Sequence, residues 1–91
     1  MKYLISYDIS SNKKRYRVVK ALEEFGCYRI QKSVYFIDSD EKTIKDLRKS
    51  IMGYFRGDSL IIIPLELSVI KNSEFLGKGY SEMPKGEDIF L

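Results

Sequence analysis

Tyr3-Leu4-Ile5-Ser6-Tyr7-Asp8-Ile9 is an apolar run that closes on a carboxylate, and a cationic cluster from Lys13 to Arg17 follows at once. Residues 2 to 9 are β-branched and aromatic, with too few polar positions for a solvated face, which predicts a central strand. Asp8 then stands at the strand tip. A carboxylate held rigidly there is costly unless a metal ion, a cation or a proton offsets its charge.

Downstream of this strand, Ser10, Ser11 and Asn12 are candidate helix N-caps. From Lys13 to Phe25 the apolar residues Tyr16, Val19 and Leu22, with Val18, Ala21 and Phe25, recur at helical spacing, and Gly26 supplies a left-handed stop. Tyr28 to Gln31 and Val34 to Asp38 read as two short strands in a tight hairpin, its turn lacking the usual glycine. Ser39 or Asp40 caps a second helix whose seam is Ile44, Leu47, Ile51 and Phe55, with Lys42, Lys45, Arg48 and Lys49 outside it and Gly53 weakening its last turn. Gly57-Asp58 is a turn, and Leu60 to Ile63 is a strand apolar enough to need cover on both faces. Pro64 cannot donate to a ladder, so the strand bends or becomes an edge there, with Leu65, Leu67 and Val69 alternating beyond it.

The order β, α, β, β, α, β predicts an α+β, ferredoxin-like domain: an antiparallel sheet with both helices on one face. We expect one domain over residues 1–79, with an additional strand at about 72–79, and a mobile tail over 80–91, where Pro84 and Gly86 lie among charges. The other face of the sheet stays bare unless something covers it. A homodimer packed sheet to sheet would bury the excess of apolar strand residues, and a chain of 91 residues is short enough to need such help.

Composition removes many chemistries. No histidine is present, which excludes the usual serine and cysteine triads, histidine-based nucleases and imidazole zinc sites. Cys27 is alone, so it forms no internal disulfide and no thiolate cluster, and it reads as a small structural hydrophobe in a reducing, cytoplasmic compartment. The longest apolar stretch, Leu60 to Leu65, is too short to span a bilayer, so no membrane association is expected. Any catalysis falls to carboxylates. Charge is uneven: residues 1–56 hold 13 lysines and arginines against 7 acids, whereas 57–91 hold 3 against 6. The first part offers a basic surface to a polyanion.

One carboxylate is a poor divalent-metal site, but Asp8 from two symmetry mates could hold Mg²⁺ or Mn²⁺, with water completing the shell, and support phosphodiester cleavage. Alternatively, Asp8 caps the first helix or pairs with Arg15 or Arg17. Lys13, Lys14, Arg15 and Arg17 fall in the first helical turns, where the dipole disfavours cations, and phosphate binding is one reason to keep them there. A solvated face is the other. Strand alternation places Arg29, Gln31 and Ser33 on one side of the hairpin, a row of donors suited to a sugar-phosphate backbone, with Tyr35 following on the same side. Tyr35 and Tyr7 are each open to two readings, stacking on a base or packing in a core or interface.

Tyr7-Asp8-Ile9, Arg15 and Arg17 in the next helix, Gly26, and Arg29-Ile30-Gln31-Lys32-Ser33-Val34-Tyr35 together resemble the small CRISPR-associated adaptation protein, the nuclease-like partner of the CRISPR integrase. The resemblance runs from about Lys2 to Leu65, and Gly57 to Leu65 looks like the family's fourth strand. It implies a ferredoxin-like homodimer with the last strand exchanged onto the partner's sheet. It also implies a metal-dependent endonuclease for RNA or DNA, and a scaffold that bridges integrase subunits and grips a duplex by its backbone. By position, Asp8 would be the catalytic metal ligand from each subunit, with Tyr7, Arg15, Arg17, Arg29, Ser33 and Tyr35 around the cleavage site or on phosphates. Tyr35 stands where the family more often has phenylalanine. Three other readings are a non-catalytic DNA-binding scaffold, a toxin-type ferredoxin-like ribonuclease with the same opening Tyr-Asp, and a regulatory module that binds a small molecule and would lack the Arg29 to Tyr35 row.

Overall fold

The computed structural model describes residues 1–74 and 76. The elements follow the expected order: β1 (Lys2–Asp8), α1 (Asn12–Glu24), β2 (Tyr28–Gln31), β3 (Val34–Asp38), α2 (Glu41–Ile51), a 3₁₀ turn (Met52–Phe55), β4 (Ser59–Leu65) and a short α3 (Leu67–Lys71). The sheet is antiparallel in the order β2-β3-β1-β4, so β1 is central, as its apolar run requires.

Alternation along β1 assigns the two faces. Tyr3, Ile5 and Tyr7 join Tyr35 and Ile37 of β3 in a core with Val18 and Leu22 of α1 and Ile44, Leu47 and Ile51 of α2, so both long helices cover one face. Leu4 and Ser6 point the other way. The register sets them opposite Phe36 and Val34 on one side and Ile63 and Ile61 on the other.

Local chemistry sets the ends of the elements. Ser11 is the cap of α1, its hydroxyl accepting from the Lys14 amide at 3.3 Å. Beyond the helix, Gly26 adopts φ +85°, the left-handed stop its sequence position called for. Cys27, next to it, is half-buried, and burial pushes its thiol up to about 12, so it is a packing residue and not a nucleophile. Asp40, not Ser39, caps α2 and accepts from the Thr43 amide at 2.7 Å. The α-helix stops at Ile51 and tightens into the 3₁₀ turn that contains Gly53, so Phe55 lies beyond it.

Four expectations need correction. Tyr16 is not in the core: Val18 and Leu22 form the inward stripe of α1, and Tyr16 is 63% exposed. β4 is an edge strand covered on one face only; Leu60 and Ile62 pack against the core, Ile61 and Ile63 are exposed on the other side, and Pro64 is tolerated because an edge need not donate outward. The alternation of Leu65, Leu67 and Val69 does not continue the strand, because α3 turns back there and drives Ile70 onto Phe36 among Leu4, Ile30 and Leu65. The hairpin holds a bulge between Arg29 and Gln31, so Arg29 opposes Tyr35 on the helix-covered face and Gln31 opposes Val34 on the open face. The row of Arg29, Gln31 and Ser33 on one side therefore does not exist. Residues 72–74 and 76 are outside any strand. The remainder of the additional strand expected at 72–79, and the tail 80–91, lie outside the described residues.

The hairpin turn places Ser33 at φ +71°, a left-handed conformation that disfavours a residue with a Cβ. Ser33→Gly should raise stability by about 1 kcal/mol, read as a higher urea midpoint at unchanged slope. The hydrogen bonds from the Thr43 side chain and amide hold the Asp40 carboxyl below its ordinary 3.8. A depressed folded value means that stability is present above the unfolded value and lost as pH falls through the folded one. Asp40→Asn still caps but does not titrate there, so its unfolding midpoint should fall less steeply on acidification than that of the native chain.

Candidate functional site

Asp8 ends β1 and is exposed. The ladder to β3 stops at Ser6 opposite Val34, whereas the ladder to β4 runs on to Asp8 opposite Ser59. The hairpin turn closes the first side: the Tyr7 amide donates to the Ser33 carbonyl at 3.1 Å. Asp8 is thus flanked by β4 alone and, by alternation, shares the open face with Leu4 and Ser6.

A cleft of about 420 Å³ opens there, lined by Asp8, Ser10, Gly57, Asp58 and Ser59. Gly57 takes φ +80°, letting the chain turn tightly into β4. Asp58 was legible only as a turn residue, yet its Oδ1 accepts from both the amide and the hydroxyl of Ser10, each at 3.2 Å. It ties the loop after Asp8 to the start of β4 across 48 positions of sequence. Arg15 braces the same loop from the other side, donating to the Ile9 carbonyl and to the Asn12 side chain, both at 2.7 Å.

These contacts exclude the structural alternatives for Asp8. The α1 cap is Ser11, Arg15 is turned to Ile9 and Asn12, and among the described residues Asp8 takes part in no ion pair. The carboxylate is therefore uncommitted. Because it is exposed, water offsets its charge, and the burial cost anticipated from the apolar run does not arise.

The other sequence candidates separate. Arg17 is exposed on α1 and unpaired among the described residues. Arg29 is exposed on β2, opposite Tyr35. Gln31 lines a second hollow, also about 420 Å³, on the open face with Leu4, Ile30, Val34, Phe36, Ser73, Glu74 and Leu76. Tyr7 and Tyr35 are 6% and 1% exposed and stack on each other with ring centroids 6.2 Å apart. Burial, then the neighbouring Tyr7 phenol, pushes the Tyr35 hydroxyl up to about 12. With both rings packed inside the core, base stacking on either is excluded in this arrangement.

The family described as CRISPR associated protein Cas2 matches residues 1–72. The chain is 35% identical over 82 residues to the CRISPR-associated endoribonuclease Cas2 1 of Chloroflexus aurantiacus, covering 87% of each. It is also 34% identical over 67 residues to the protein of the same name from Archaeoglobus fulgidus, covering 71% of each. Among solved structures, Streptococcus pyogenes Cas2 superimposes with a TM-score of 0.75 over 85% of this chain and all of that one, at 23% identity, a likeness of fold. A hypothetical protein from Thermus thermophilus gives 0.71 at 29% identity, over 84% of this chain and 89% of that one. With a ferredoxin-like sheet whose central strand ends in Tyr7-Asp8, and a match over nearly all the described residues, the chain belongs to the CRISPR associated protein Cas2 family.

Proposed function

We propose that this chain acts in CRISPR adaptation as a homodimeric, metal-dependent phosphodiesterase that grips nucleic acid by its backbone and partners the CRISPR integrase. The observation that carries this reading is Asp8, an exposed and uncommitted carboxylate at the end of the central strand, in a chain whose relatives are named endoribonucleases.

The donors around the cleft fit a hard cation. Asp8, Asp58, Ser10 and Ser59 offer only oxygen, the chemistry of Mg²⁺ or Mn²⁺ and not of thiolate- or imidazole-bound metals. Among the described residues no group of three or more acid, thiol or imidazole ligands comes together, and Asp58 is engaged by Ser10. The second carboxylate we assign is therefore Asp8 of another copy. When bound, the ion supplies positive charge to the developing phosphorane and makes water a better nucleophile at neutral pH. Arg15 and Asp58 hold the loop that carries Asp8 in place, and Arg17 and Arg29 supply exposed guanidinium groups for phosphate oxygens.

The homodimer finds support in the open face, where Ile61 and Ile63 are exposed beside Leu4 and Leu65. Covering these residues with a second sheet removes apolar surface from water. Recognition through phosphates makes binding largely indifferent to base order.

Asp8→Asn should lower Mg²⁺- or Mn²⁺-dependent cleavage by at least about a hundredfold, more than the loss of an outer-shell ligand costs, while nucleic-acid affinity stays nearly the same. Unchanged cleavage would remove the catalytic claim and leave the scaffold reading. Arg17→Ala should reduce the slope of log affinity against log salt by about 1 without altering stability. Arg15→Ala should instead lower stability by about 1–3 kcal/mol for its two hydrogen bonds, read as a lower denaturation midpoint. A binding loss without destabilisation would place Arg15 on phosphate.

A further inference from the structure

The outer face of α1 carries a feature that neither the core nor the Asp8 cleft uses. Tyr16 is 63% exposed, the most exposed aromatic side chain among the described residues. Lys13 and Lys20 flank it at spacings of three and four positions, so these three side chains share one patch of helix surface, and Arg17, four positions from Lys13 and three from Lys20, borders that patch on the neighbouring side. The Lys20 ammonium sits 5.8 Å from the centre of the Tyr16 ring. None of these cations forms an ion pair among the described residues; the pairs found there join Asp38 to the Met1 amino group and Lys2, at the far end of β1. No acid occupies the first turn of α1 to offset them.

Two unneutralised cations flanking a solvent-facing ring, with a third beside them, are the parts of a stacking platform: cations for the backbone, a π-face for the base. Lys13 and Lys20 stand roughly 10 Å apart along the helix axis, enough for more than one phosphate of an extended strand. A duplex would leave the ring idle, because its bases are stacked internally and only phosphates reach a convex helix face. An unpaired base uses both parts.

We infer that the solvent face of α1, Tyr16 with Lys13, Arg17 and Lys20, is a docking site for single-stranded nucleic acid, in which Tyr16 stacks on an unpaired base. The inference rests on the proposed nucleic-acid function and adds to it the strandedness of the ligand at this face. Arg17 joins the platform to the α1 start, four residues after Asp8, so a strand held here is led toward the cleft.

The test is fluorescence anisotropy on the native chain and on Tyr16→Ala, Tyr16→Phe and the double variant Lys13→Gln/Lys20→Gln. The probes are a labelled mixed-sequence RNA single strand and the duplex of the same sequence. Tyr16→Ala should weaken single-strand binding by roughly tenfold or more with an unchanged salt slope, whereas duplex binding should change little. Tyr16→Phe, which keeps the ring, should bind the single strand like the native chain. The double variant should lose about 1.4 from the single-strand salt slope. An exposed ring is not needed for folding, and equal circular dichroism of the variants checks that. If Tyr16→Ala binds both probes as the native chain does, the inference falls while the proposed function stands, and the face is free for a protein partner. If it weakens both equally, stacking on an unpaired base is likewise overturned. A native chain that binds neither probe overturns both readings together.

Discussion

The paired central strand is the constraint on which the structure depends. β1 is hydrogen-bonded to β3 and β4 at once, so its register determines which residues face the helices and where each neighbour begins and ends. A slip of one residue would send Ile5, fully buried under α1 and α2, to the open face and bring Ser6 into the core. The same register carries Asp8 one step past the hairpin, to a place where β4 alone flanks it. Burial of Tyr3, Ile5 and Tyr7 thus determines the position of a carboxylate that makes no contribution to the core.

Rigidity at that carboxylate is supplied by groups that do not touch it. Arg15 holds the Ile9 carbonyl, Asp58 holds the backbone and hydroxyl of Ser10, and the Ser33 carbonyl takes the Tyr7 amide. The residues immediately before and after Asp8 are tethered in three directions while its own oxygens stay in solvent. A charge used for salt bridging would be screened and satisfied; this one is positioned and left available.

Much of this was legible in the sequence wherever the signal is local. A run of β-formers, a serine before a basic helix, a glycine at a left-handed stop and an aspartate three residues ahead of Thr43 each act within one turn, and each behaves as read. What escaped the sequence is decided at a distance. Tyr16-Val19-Leu22 and Val18-Leu22 are both helical stripes, and only the sheet beneath selects the second. The bulge at Ile30 leaves no mark in Tyr28 to Gln31, because alternation looks the same whether or not a residue is looped out. Leu65, Leu67 and Val69 fit a strand as well as Leu67 and Ile70 fit a helical turn, and contact with Phe36 favours the helix. Asp58 is an ordinary turn residue until Ser10 is folded against it.

The open face joins the apolar excess of the chain to its chemistry. α3 covers one part of it, setting Ile70 against Phe36, a burial worth about 1.5–3 kcal/mol for that side chain. The part beside β4, with Ile61 and Ile63, stays in water. Alternation puts Asp8 on this same face, and its strand partner Ser59 lies on the same β4. A second copy laid over the uncovered isoleucines would therefore approach the end of the sheet where the carboxylate stands. The surface that gains most from a partner is also the one that lacks a second acid, which is why the homodimer and the shared ion form a single proposal: without the dimer, each chain keeps a lone Asp8 beside a carboxylate already committed to Ser10.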